Sequence, residues 1–263
     1  MTAYQRQQYL LDILRTKPWL RVSDLAEVLK VSESTIRNDL NALEGEGRVK
    51  RTHGGAVLSA PAQSTNNSFS SRYHKNLAEK QAIARKASKL ICDGDSILID
   101  ASSTGYCLAC ELSDLRELRV ITNGFEVAQT MAKNPSNNVI LIGGVVNYNT
   151  SSVTGLLSEE IIKDLFVQKA FLSCSGFTME RGMTELQLNE AQLKRKMIGS
   201  TQKLFALVDS SKFGKEDLTP FASIEDISVI LTDDGIPPVW KEKLVQSGVK
   251  TMLCSIEAIN HYE

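Results

Sequence analysis

The sequence predicts an α/β protein with two domains, a winged helix-turn-helix followed by a mostly parallel α/β domain. Residues 23–58 carry two amphipathic helical patterns and then a basic hairpin pattern. From Ser96 onward, short apolar runs alternate with helical stretches, as in a parallel sheet covered by helices. The chain of 263 residues, 42% of them hydrophobic, is long enough for two cores. We expect an N-terminal domain at 1–58, a linker at 59–70 and a second domain at 71–263.

The first helical pattern is short and apolar on one side. Leu25, Ala26, Val28 and Leu29 form that side, and Ser23 is a suitable N-cap. We expect this helix to pack against the next one.

The second helix combines an apolar side with a polar surface. Ser32 can cap it, and Ile36, Leu40 and Leu43 form its apolar side. The remaining surface carries Ser34, Thr35, Arg37, Asn38 and Asn41. Short hydroxyl and amide side chains around one arginine suit base edges in the major groove, where an arginine can bridge the two acceptors of guanine. Arg37 is therefore the predicted base reader.

A basic hairpin pattern follows this helix. Residues 48–51 alternate like a strand, and His53-Gly54-Gly55 can turn the chain back through residues 56–58. Such a hairpin can rest on DNA phosphates. An ordinary solvated helix pair with a hairpin is the alternative, but the order of helix, turn, helix and basic hairpin favours DNA binding. The predicted DNA-binding residues are Ser34, Thr35, Arg37, Asn38, Lys50, Arg51 and His53.

The overall charge says little about a partner. The formal net charge is -1, and the sequence pI is near 6.4. Residues 1–60 hold nine Lys or Arg against seven Asp or Glu, and the rest of the chain holds 21 against 24, which supports DNA binding only weakly. No apolar run approaches the ~18 residues that a membrane span needs, and the first residues lack a signal-peptide pattern. We expect a cytoplasmic protein.

The five cysteines are scattered, which indicates reduced thiols rather than a disulfide framework. Cys107 and Cys110 have CxxC spacing, so a metal or redox pair is one interpretation. They lie in an apolar helical pattern, however, and no second pair completes four ligands. We expect both to be buried in the core of a helix.

A change of composition marks the domain boundary. Residues 60–68 have the small polar composition of a linker. Residues 71–95 then form a charged amphipathic pattern that predicts one helix ended by an Asp-Gly turn. Its inward residues are predicted to be Ala82, Ile83, Ala87, Leu90 and Ile91.

The second domain is predicted from seven apolar runs. These runs are 96–100, 118–122, 139–143, 169–173, 204–208, 227–231 and 249–253. Helical patterns fall between most of them, at 106–112, 126–133, 158–165, 190–202 and 240–246. In such a sheet, ligands bind outside the carboxyl ends of the strands.

Small and polar residues follow five of these runs. Residues 100–105 follow the first run and open a helix, so hydroxyl and backbone N–H groups would converge on an anion such as phosphate. The other strand ends carry Asn123, Gly143-Gly144, Ser173 to Gly176, and Asp209 to Lys212. Each turn alone has a backbone explanation, because strand-to-helix turns favour Gly, Ser, Asp and Asn. Five turns at one sheet edge favour a ligand site.

Both halves of the chain resemble the DeoR family of sugar-catabolism regulators. VSESTIRNDLNALEGEGRVKRTHGGA, at 31–56, resembles the family's N-terminal signature. The segments IDASSTG, ITN, IGG, Ser175-Gly176 and LVDSSKFG resemble successive site segments of its effector domain. The resemblance implies a phosphorylated sugar ligand and a fold similar to ribose-5-phosphate isomerase and coenzyme A transferases.

The resemblance also implies roles for individual residues. Ser102 to Gly105 would hold the phosphate, Asp100 and Asp209 would accept hydrogen bonds from sugar hydroxyls, and Lys212 would supply positive charge. Glu190 and Lys194 match another family pair, although at i, i+4 they could equally be a surface helix pair. The predicted effector-binding residues are Asp100, Ser102, Ser103, Thr104, Gly105, Asn123, Gly143, Gly144, Ser175, Lys194, Asp209 and Lys212.

The sequence departs from the family pattern at three places. Asn38 stands where the family usually has a second arginine, and an asparagine can read adenine bidentately. Ser175-Gly176 replaces a common Asp-Gly, and residues 102–104 replace a common Gly-Thr-Thr. Residues 101–104 and 173–176 resemble the branch that includes the fucose-operon activator, which implies a deoxyketose 1-phosphate ligand.

The predicted function is therefore DNA-binding transcriptional regulation of a carbohydrate catabolism operon, modulated by a phosphorylated sugar. The alternative is a sugar-phosphate isomerase fused to a DNA-binding domain, which needs a carboxylate to move a proton. Ser175 stands where an acidic residue is expected, so we predict no catalysis, no cofactor and no metal. A structural nucleoid protein would not need the polar strand ends. The expected partners are operator DNA, the effector and further copies of the chain in a homodimer or homotetramer.

Overall fold

The computed structural model describes residues 3–16, 19–45, 48–52, 54–58 and 68–256. The chain divides into two compact units, 1–65 and 66–263, each with its own core. The exact limits of the predicted domains and linker stay predictions.

The first unit is a winged helix-turn-helix, as predicted. Its helices are α1 (Ala3–Thr16), α2 (Val22–Leu29) and α3 (Glu33–Gly45). Its antiparallel sheet contains β1 (Leu20–Arg21), β2 (Val49–Thr52) and β3 (Gly55–Leu58), in the order β1-β3-β2. The core includes three leucines of α1, a helix that the sequence analysis did not predict.

The predicted apolar side of α3 is confirmed. Ile36, Leu40 and Leu43 are fully buried, and Ser32 caps the helix by accepting a hydrogen bond from the Thr35 N–H at 3.2 Å. These three apolar residues pack in one cluster with the buried residues of α1 and α2. The polar residues of α3 are therefore left for the outer surface.

Two predictions for α2 were wrong. The N-cap is Arg21 and not Ser23, because the Asp24 carboxylate accepts a hydrogen bond from the Arg21 N–H and the helix begins before Ser23. Val28 is 61% exposed, since α2 packs through Val22, Leu25 and Ala26.

The wing is a tight hairpin. Thr52 of β2 pairs with Gly55 of β3, and Gly54 has a φ of +82°, which favours glycine. A Cβ atom on Gly55 would lie 2.4 Å from the Leu20 carbonyl oxygen, so only glycine fits beside β1. His53, a predicted DNA contact, lies outside the described residues.

The second unit is an α/β domain around a parallel sheet. Its strands are β4 (Ser96–Ile99), β5 (Arg119–Thr122), β6 (Asn138–Leu141), β7 (Val145–Asn147), β8 (Ser152–Thr154), β9 (Val167–Ser173), β10 (Gly176–Thr178), β11 (Gly182–Glu185), β12 (Thr201–Leu207), β13 (Thr219–Ala222), β14 (Val229–Asp233) and β15 (Lys250–Cys254). Its helices are α4 (Phe69–His74), α5 (Leu77–Ser88), α6 (Ser103–Glu111), α7 (Phe125–Met131), α8 (Leu156–Lys163), α9 (Leu188–Gly199) and α10 (Pro238–Ser247).

All seven predicted apolar runs form strands of one parallel sheet, in the order β15-β14-β12-β9-β4-β5-β6. Alternate residues of its central strands enter different apolar layers. Leu98 and Ala170 belong to one cluster, whereas Ile97, Ile99 and Phe171 belong to the other. The sheet is therefore buried on both faces, which explains why its strands have continuous apolar sequences.

Two antiparallel sheets were not predicted. Strands β7 and β8 form a hairpin, and β10, β11 and β13 form a three-stranded sheet. The strands of both are only three or four residues long, so their sequences resemble loops.

The predicted single helix at 71–95 is instead two helices. The break falls at Lys75 and Asn76, and Asn76 has a left-handed φ of +53°. Leu90, predicted to face inward, is only half-buried because α5 ends at Ser88. Similarly, the helix predicted at 190–202 ends at Gly199, where the chain turns into β12.

The five cysteines are free, as predicted. Cys107 is buried in α6, and burial raises the pKa of its thiol to about 12. Cys110 is exposed, so the prediction that both lie in the helix core was wrong for Cys110. Within the described ranges, no group of three or more His, Cys, Asp or Glu side chains could hold a metal ion.

None of the described helices is both long enough and apolar enough to cross a membrane.

Candidate functional site

Helix α3 presents the predicted base-reading side chains to solvent. Ser34, Arg37 and Asn38 are exposed, and Thr35 is half-buried. The Ser32 hydroxyl oxygen lies 2.8 Å from the hydroxyl oxygens of both Ser34 and Thr35. The start of the helix therefore carries an ordered set of hydroxyl groups.

Arg37 forms an exposed ion pair within this helix. Its Nη2 atom lies 2.6 Å from Glu33 Oε2, and the two side chains are 54% and 46% exposed. Exposed pairs of this kind contribute little to stability. The guanidinium can therefore exchange Glu33 for another acceptor at little cost.

The wing is joined to α3 by hydrogen bonds. The Arg51 N–H donates to Glu44 Oε1 at 2.9 Å, and the Arg51 guanidinium donates to Asn41 Oδ1 at 2.6 Å. Lys50, on the same strand, is exposed. The structure thus gives the two basic residues different surroundings, because Arg51 supports the wing while Lys50 has an exposed charge.

An open cleft lies in the second unit where β4, β9 and β12 end. Its two adjoining lobes share Arg72, Ser102, Ser175 and Glu185. The predicted effector residues that line it are Ser102, Ser103, Thr104, Ser175, Lys194, Asp209 and Lys212. The ends of the parallel strands therefore bring together side chains that are far apart in the sequence.

The turn after β4 forms one wall of this cleft. Ser102 caps α6, and its Oγ atom accepts a hydrogen bond from the Gly105 N–H at 2.9 Å. A Cβ atom on Gly105 would lie 2.8 Å from the Asp100 carbonyl oxygen and 2.9 Å from Ile99 Cγ2, so glycine allows this close approach. The first N–H groups of a helix lack acceptors within it, which suits this end of α6 to an anion.

Asp100 lies beneath this turn and does not line the cleft. It is fully buried, and its carboxylate accepts hydrogen bonds from the Ser102 N–H at 3.2 Å and the Ser173 N–H at 2.9 Å. Lys194 Nζ lies 2.9 Å from Asp100 Oδ2. Asp100 therefore fixes the ends of β4 and β9, whereas the sequence predicted a contact with sugar hydroxyls.

The Lys194 ammonium contacts residues at the ends of β4, β9 and β11. Its buried ammonium donates to the Ser173 carbonyl oxygen at 2.7 Å and to Glu185 Oε1 at 2.6 Å. Burial by itself lowers the pKa of Lys194, but the carboxylates of Asp100, Glu185 and Glu190 outweigh burial and raise it above its ordinary value. Because Lys194 and Glu190 are both buried, the alternative of a surface helix pair was wrong.

Asn123 and Glu190 form the side of the site nearest β8. Asn123 Oδ1 accepts from the Ala101 N–H at 3.0 Å, and its amide nitrogen donates to the Val153 carbonyl oxygen at 3.2 Å. Ser152 Oγ donates to Glu190 Oε1 at 2.5 Å, and burial raises the pKa of Glu190. Asn123 is buried and does not line the cleft, so it ties the turn after β4 to the β7–β8 hairpin.

Asp209 carries an unused acceptor at the other end of the cleft. Its Oδ1 atom accepts from the Ser211 N–H at 3.2 Å and from the Asn76 amide at 3.1 Å. Its Oδ2 atom is buried and has no hydrogen-bond partner among the described residues. A buried carboxylate oxygen without a partner is costly, so this atom suits a donor from a ligand.

Lys80 is a buried cation on the same wall. Its ammonium donates to the carbonyl oxygens of Arg72 and Lys75. Burial lowers the pKa of Lys80 to about 8, with Asp209 opposing and Lys212 assisting the shift. The Lys80 ammonium therefore loses its proton at a lower pH than an exposed lysine does.

Gly143 and Gly144 are not part of the cleft lining. Ser158 Oγ donates to the Gly143 carbonyl oxygen at 2.7 Å. A Cβ atom on Gly144 would lie 2.5 Å from the same Oγ atom. Gly144 therefore allows the chain leaving β6 to pass close to α8.

Sequence reasoning missed one whole wall of the cleft. Arg72 comes from α4, Lys80 from α5 and Asn76 from the break between them, and Glu185 comes from β11. The available signal was a cluster of charged residues close after the predicted linker. The sequence pattern predicted one charged amphipathic helix there, because no motif set these residues apart from an ordinary solvated face.

Family models match both units. The DeoR-like helix-turn-helix domain matches residues 6–62, and the DeoR C terminal sensor domain matches residues 75–234. We call the second unit the sensor domain from here on.

Relatives match nearly the whole chain. The HTH-type transcriptional regulator GolR of Listeria innocua is 38% identical over 249 residues, which cover 95% of this chain and 98% of that protein. The L-fucose operon activator of Haemophilus influenzae is 32% identical over 94% of this chain and 99% of its own length. The glycerol-3-phosphate regulon repressor of Escherichia coli K12 is 28% identical over 97% of this chain and 100% of its own length.

Among solved structures, ribose 5-phosphate isomerase A of Methanocaldococcus jannaschii is 16% identical, with a TM-score of 0.37 over 51% of this chain and 53% of that chain. Because this score is low, the likeness to ribose-5-phosphate isomerase and coenzyme A transferases stays a prediction. The family models and the relatives are transcriptional regulators and not enzymes. The chain belongs to the DeoR family of transcriptional regulators.

Proposed function

We propose that the protein controls a carbohydrate catabolism operon and that a phosphorylated sugar in the sensor cleft sets its operator affinity. The observation that carries this proposal is the cleft itself, where the start of a helix, a buried lysine and an unused carboxylate oxygen converge. The names of two relatives support it, since one refers to the L-fucose operon and the other to glycerol 3-phosphate.

We assign the phosphate of the effector to the turn at 102–104. The N-terminus of α6 favours an anion, and Arg72, Lys80 and Lys212 line the same lobe of the cleft. Charge-assisted hydrogen bonds from such groups are the strong ones. A phosphate here would be held by the backbone of one helix and by cations from other elements.

We assign the hydroxyl groups of the sugar to the acidic side chains of the cleft, Asp209 and Glu185. Asp209 Oδ2 is an acceptor without a partner. Ser175 and Glu185 line both lobes. The Ser175 hydroxyl donates a hydrogen bond to Glu185 Oε2 at 2.6 Å. Asp100 and Asn123 then act as positioning residues, because their polar atoms hold the turns that carry these groups.

The segment 68–80 is the proposed route of coupling to the DNA-binding domain. It directly follows the predicted linker in the sequence, and it forms a wall of the cleft. The Asn76 amide donates to Asp209 Oδ1 and to Ser211 Oγ, at 3.1 and 2.9 Å, and Arg72 donates to the Thr150 carbonyl oxygen at 3.1 Å. A ligand that changes these contacts shifts the position of the chain leading into the linker. Coupling requires this, because an effector must bind one arrangement of the protein better than the other.

Effector binding should take up protons near pH 8.5. An anion beside Lys80 favours its charged form, so binding raises a pKa that is about 8 in the free protein. The amount of proton uptake can be measured by titrating a 6-deoxyketose 1-phosphate calorimetrically in two buffers of different ionisation enthalpy. Lys80→Met should abolish the uptake, while Lys215→Met, which removes an exposed lysine of the same lobe, should preserve it. Equal uptake by the parent and Lys80→Met would exclude Lys80 as the anion partner.

DNA binding is assigned to the exposed face of α3 and to the wing. In this proposal Arg37 and Asn38 contact base edges, with Asn38 suited to adenine, and Lys50 contacts phosphates. A cytoplasmic homodimer or homotetramer would present these elements to a repeated or palindromic operator.

Arg37→Ala should reduce operator affinity by about 1 to 3 kcal/mol and relax the preference at one base pair. Lys50→Ala, the matched control, should weaken binding to all sequences alike and reduce the slope of affinity against salt. Gel-shift titrations at several salt concentrations measure both effects, using operator and single-base variants. Unchanged discrimination by Arg37→Ala would disprove its role as base reader.

A further inference from the structure

An apolar face lies at the β6 edge of the seven-stranded sheet. It is built from β6, the β7–β8 hairpin and α8. The exposed apolar side chains on it are Ile140, Leu141, Val145, Val146, Tyr148, Leu156, Leu157 and Ile161. We call this surface the β6 face.

The parts of the β6 face adjoin one another. A Cβ atom on Gly143, just after β6, would lie 4.0 Å from Ile161 Cδ1 of α8. A Cβ atom on Gly155, just before α8, would lie 3.5 Å from Val145 Cγ2 of β7. These contacts bring the end of β6, β7 and α8 together. Ile140 and Leu141 lie on opposite faces of β6, so the apolar side chains surround the free edge of this strand.

The β6 face is large for a surface of a monomer. Tyr148, Leu156 and Val145 are 92%, 79% and 70% exposed. At ordinary side-chain sizes, the eight residues expose on the order of 900 Å², against about 300–600 Å² for the largest apolar patch of a typical monomer. That area is close to the ~800 Å² that each partner buries in a standard interface.

The strand at the centre of this face, β6, has one edge that no other described strand pairs with. The N–H groups of Asn138 and Ile142 donate to the carbonyl oxygens of Leu118 and Thr122, at 2.8 Å each. Because N–H groups alternate in direction along a strand, those of Val139 and Leu141 are directed away from β5. In the sheet order, β6 is the last strand. Neither a proline nor a charged residue lies within β6 to block the addition of another strand.

The charge pattern shows which partner fits. The sequence has no Asp, Glu, Lys, Arg or His between Lys133 and Glu159, a stretch that includes β6 and the whole hairpin. A two-fold interface brings one surface against itself, so any net charge on it would be repelled. A neutral face with an unpaired strand edge is self-complementary, because an antiparallel pair of β6 strands satisfies both edges.

We infer that the β6 face joins two copies of this chain about a two-fold axis. The interface buries the eight apolar side chains and pairs the free edges of β6. This inference concerns the sensor domain alone, so it does not depend on the identity of the effector or the operator.

Sedimentation velocity of the full chain, without DNA or effector, tests the inference. The parent should sediment as a dimer or larger at about 10 µM. Val146→Lys or Leu156→Lys should weaken self-association at least tenfold, because each places like charges in the interface. The matched control is Val245→Lys, because Val245 is 79% exposed, as Leu156 is. Val245 lies on α10, which packs beside β15 at the opposite edge of the sheet.

The circular dichroism spectrum of each variant should match that of the parent, and the two substitutions on different elements provide independent tests if one fails to fold. Weakened association of the β6-face variants with an unchanged control supports the inference. A monomeric parent, or equal association of the parent and the β6-face variants, overturns it. Equal weakening by Val245→Lys also overturns it, since the effect would then not belong to this face.

Discussion

Replacing Lys194 by methionine should lower the free energy of unfolding of the sensor domain by about 3–5 kcal/mol. The ammonium lies 2.9 Å from Asp100 Oδ2 and 2.6 Å from Glu185 Oε1, and it is 4% exposed. Methionine keeps most of the volume but leaves Asp100 as a buried carboxylate without its cation. Breaking one side of a buried ion pair is costly for this reason, even where the intact pair adds little net stability.

Lys163→Met is the matched control for this experiment. Lys163 is also paired with a glutamate, at 2.5 Å from Glu160, but both side chains are exposed. Exposed pairs are screened by water and contribute little, so the unfolding midpoint should stay unchanged. Urea unfolding followed by circular dichroism compares the two variants with the parent. Similar midpoints for Lys194→Met and Lys163→Met would contradict the central role given to Lys194.

Thr104→Val should weaken binding of a phosphorylated ketose roughly 10- to 150-fold, the equivalent of one hydrogen bond to a charged group. The substitution preserves shape and removes one hydroxyl from the turn assigned to phosphate. Binding of the free sugar should change little. Isothermal titration with a 6-deoxyketose 1-phosphate and with its unphosphorylated form measures both affinities.

Thr232→Val controls for the general effect of replacing a buried threonine. The Thr232 hydroxyl is buried in β14 without a hydrogen-bond partner among the described residues, and it does not line the cleft. This variant should bind both compounds as the parent does. If Thr104→Val and the parent bind the phosphorylated ketose equally, the phosphate lies elsewhere.

The fold was predictable where burial shaped the sequence. Strands such as β4 and β9 are covered on both faces, so they have continuous apolar sequences that stand out from the helices between them. The hairpin of β7 and β8 was missed because each strand has three residues and β7 is largely exposed. Its apolar residues adjoin glycines and asparagines, which indicate loops when only the sequence is considered.

The candidate site was predictable only in part, for a different reason. Strand ends can be identified in the sequence, and Thr104, Asp209 and Lys212 line the cleft as their positions suggested. Asp100 is at a strand end too, but whether its carboxylate faces a ligand or the backbone depends on tertiary contacts. Lys80 was missed because a lysine on an amphipathic helix is usually solvated, and only the fold buries it.

The most direct test of the account is the affinity of the full chain for DNA with and without effector. Fluorescence anisotropy of a labelled DNA fragment from upstream of the encoding gene measures it, with a 6-deoxyketose 1-phosphate as the added compound. The account predicts a change in operator Kd of about 5- to 150-fold for the parent, and no change for Thr104→Val at the same concentration, with both proteins binding DNA equally well without effector. An equal change in the two proteins, or no change in the parent under conditions where calorimetry shows the compound bound, would contradict it.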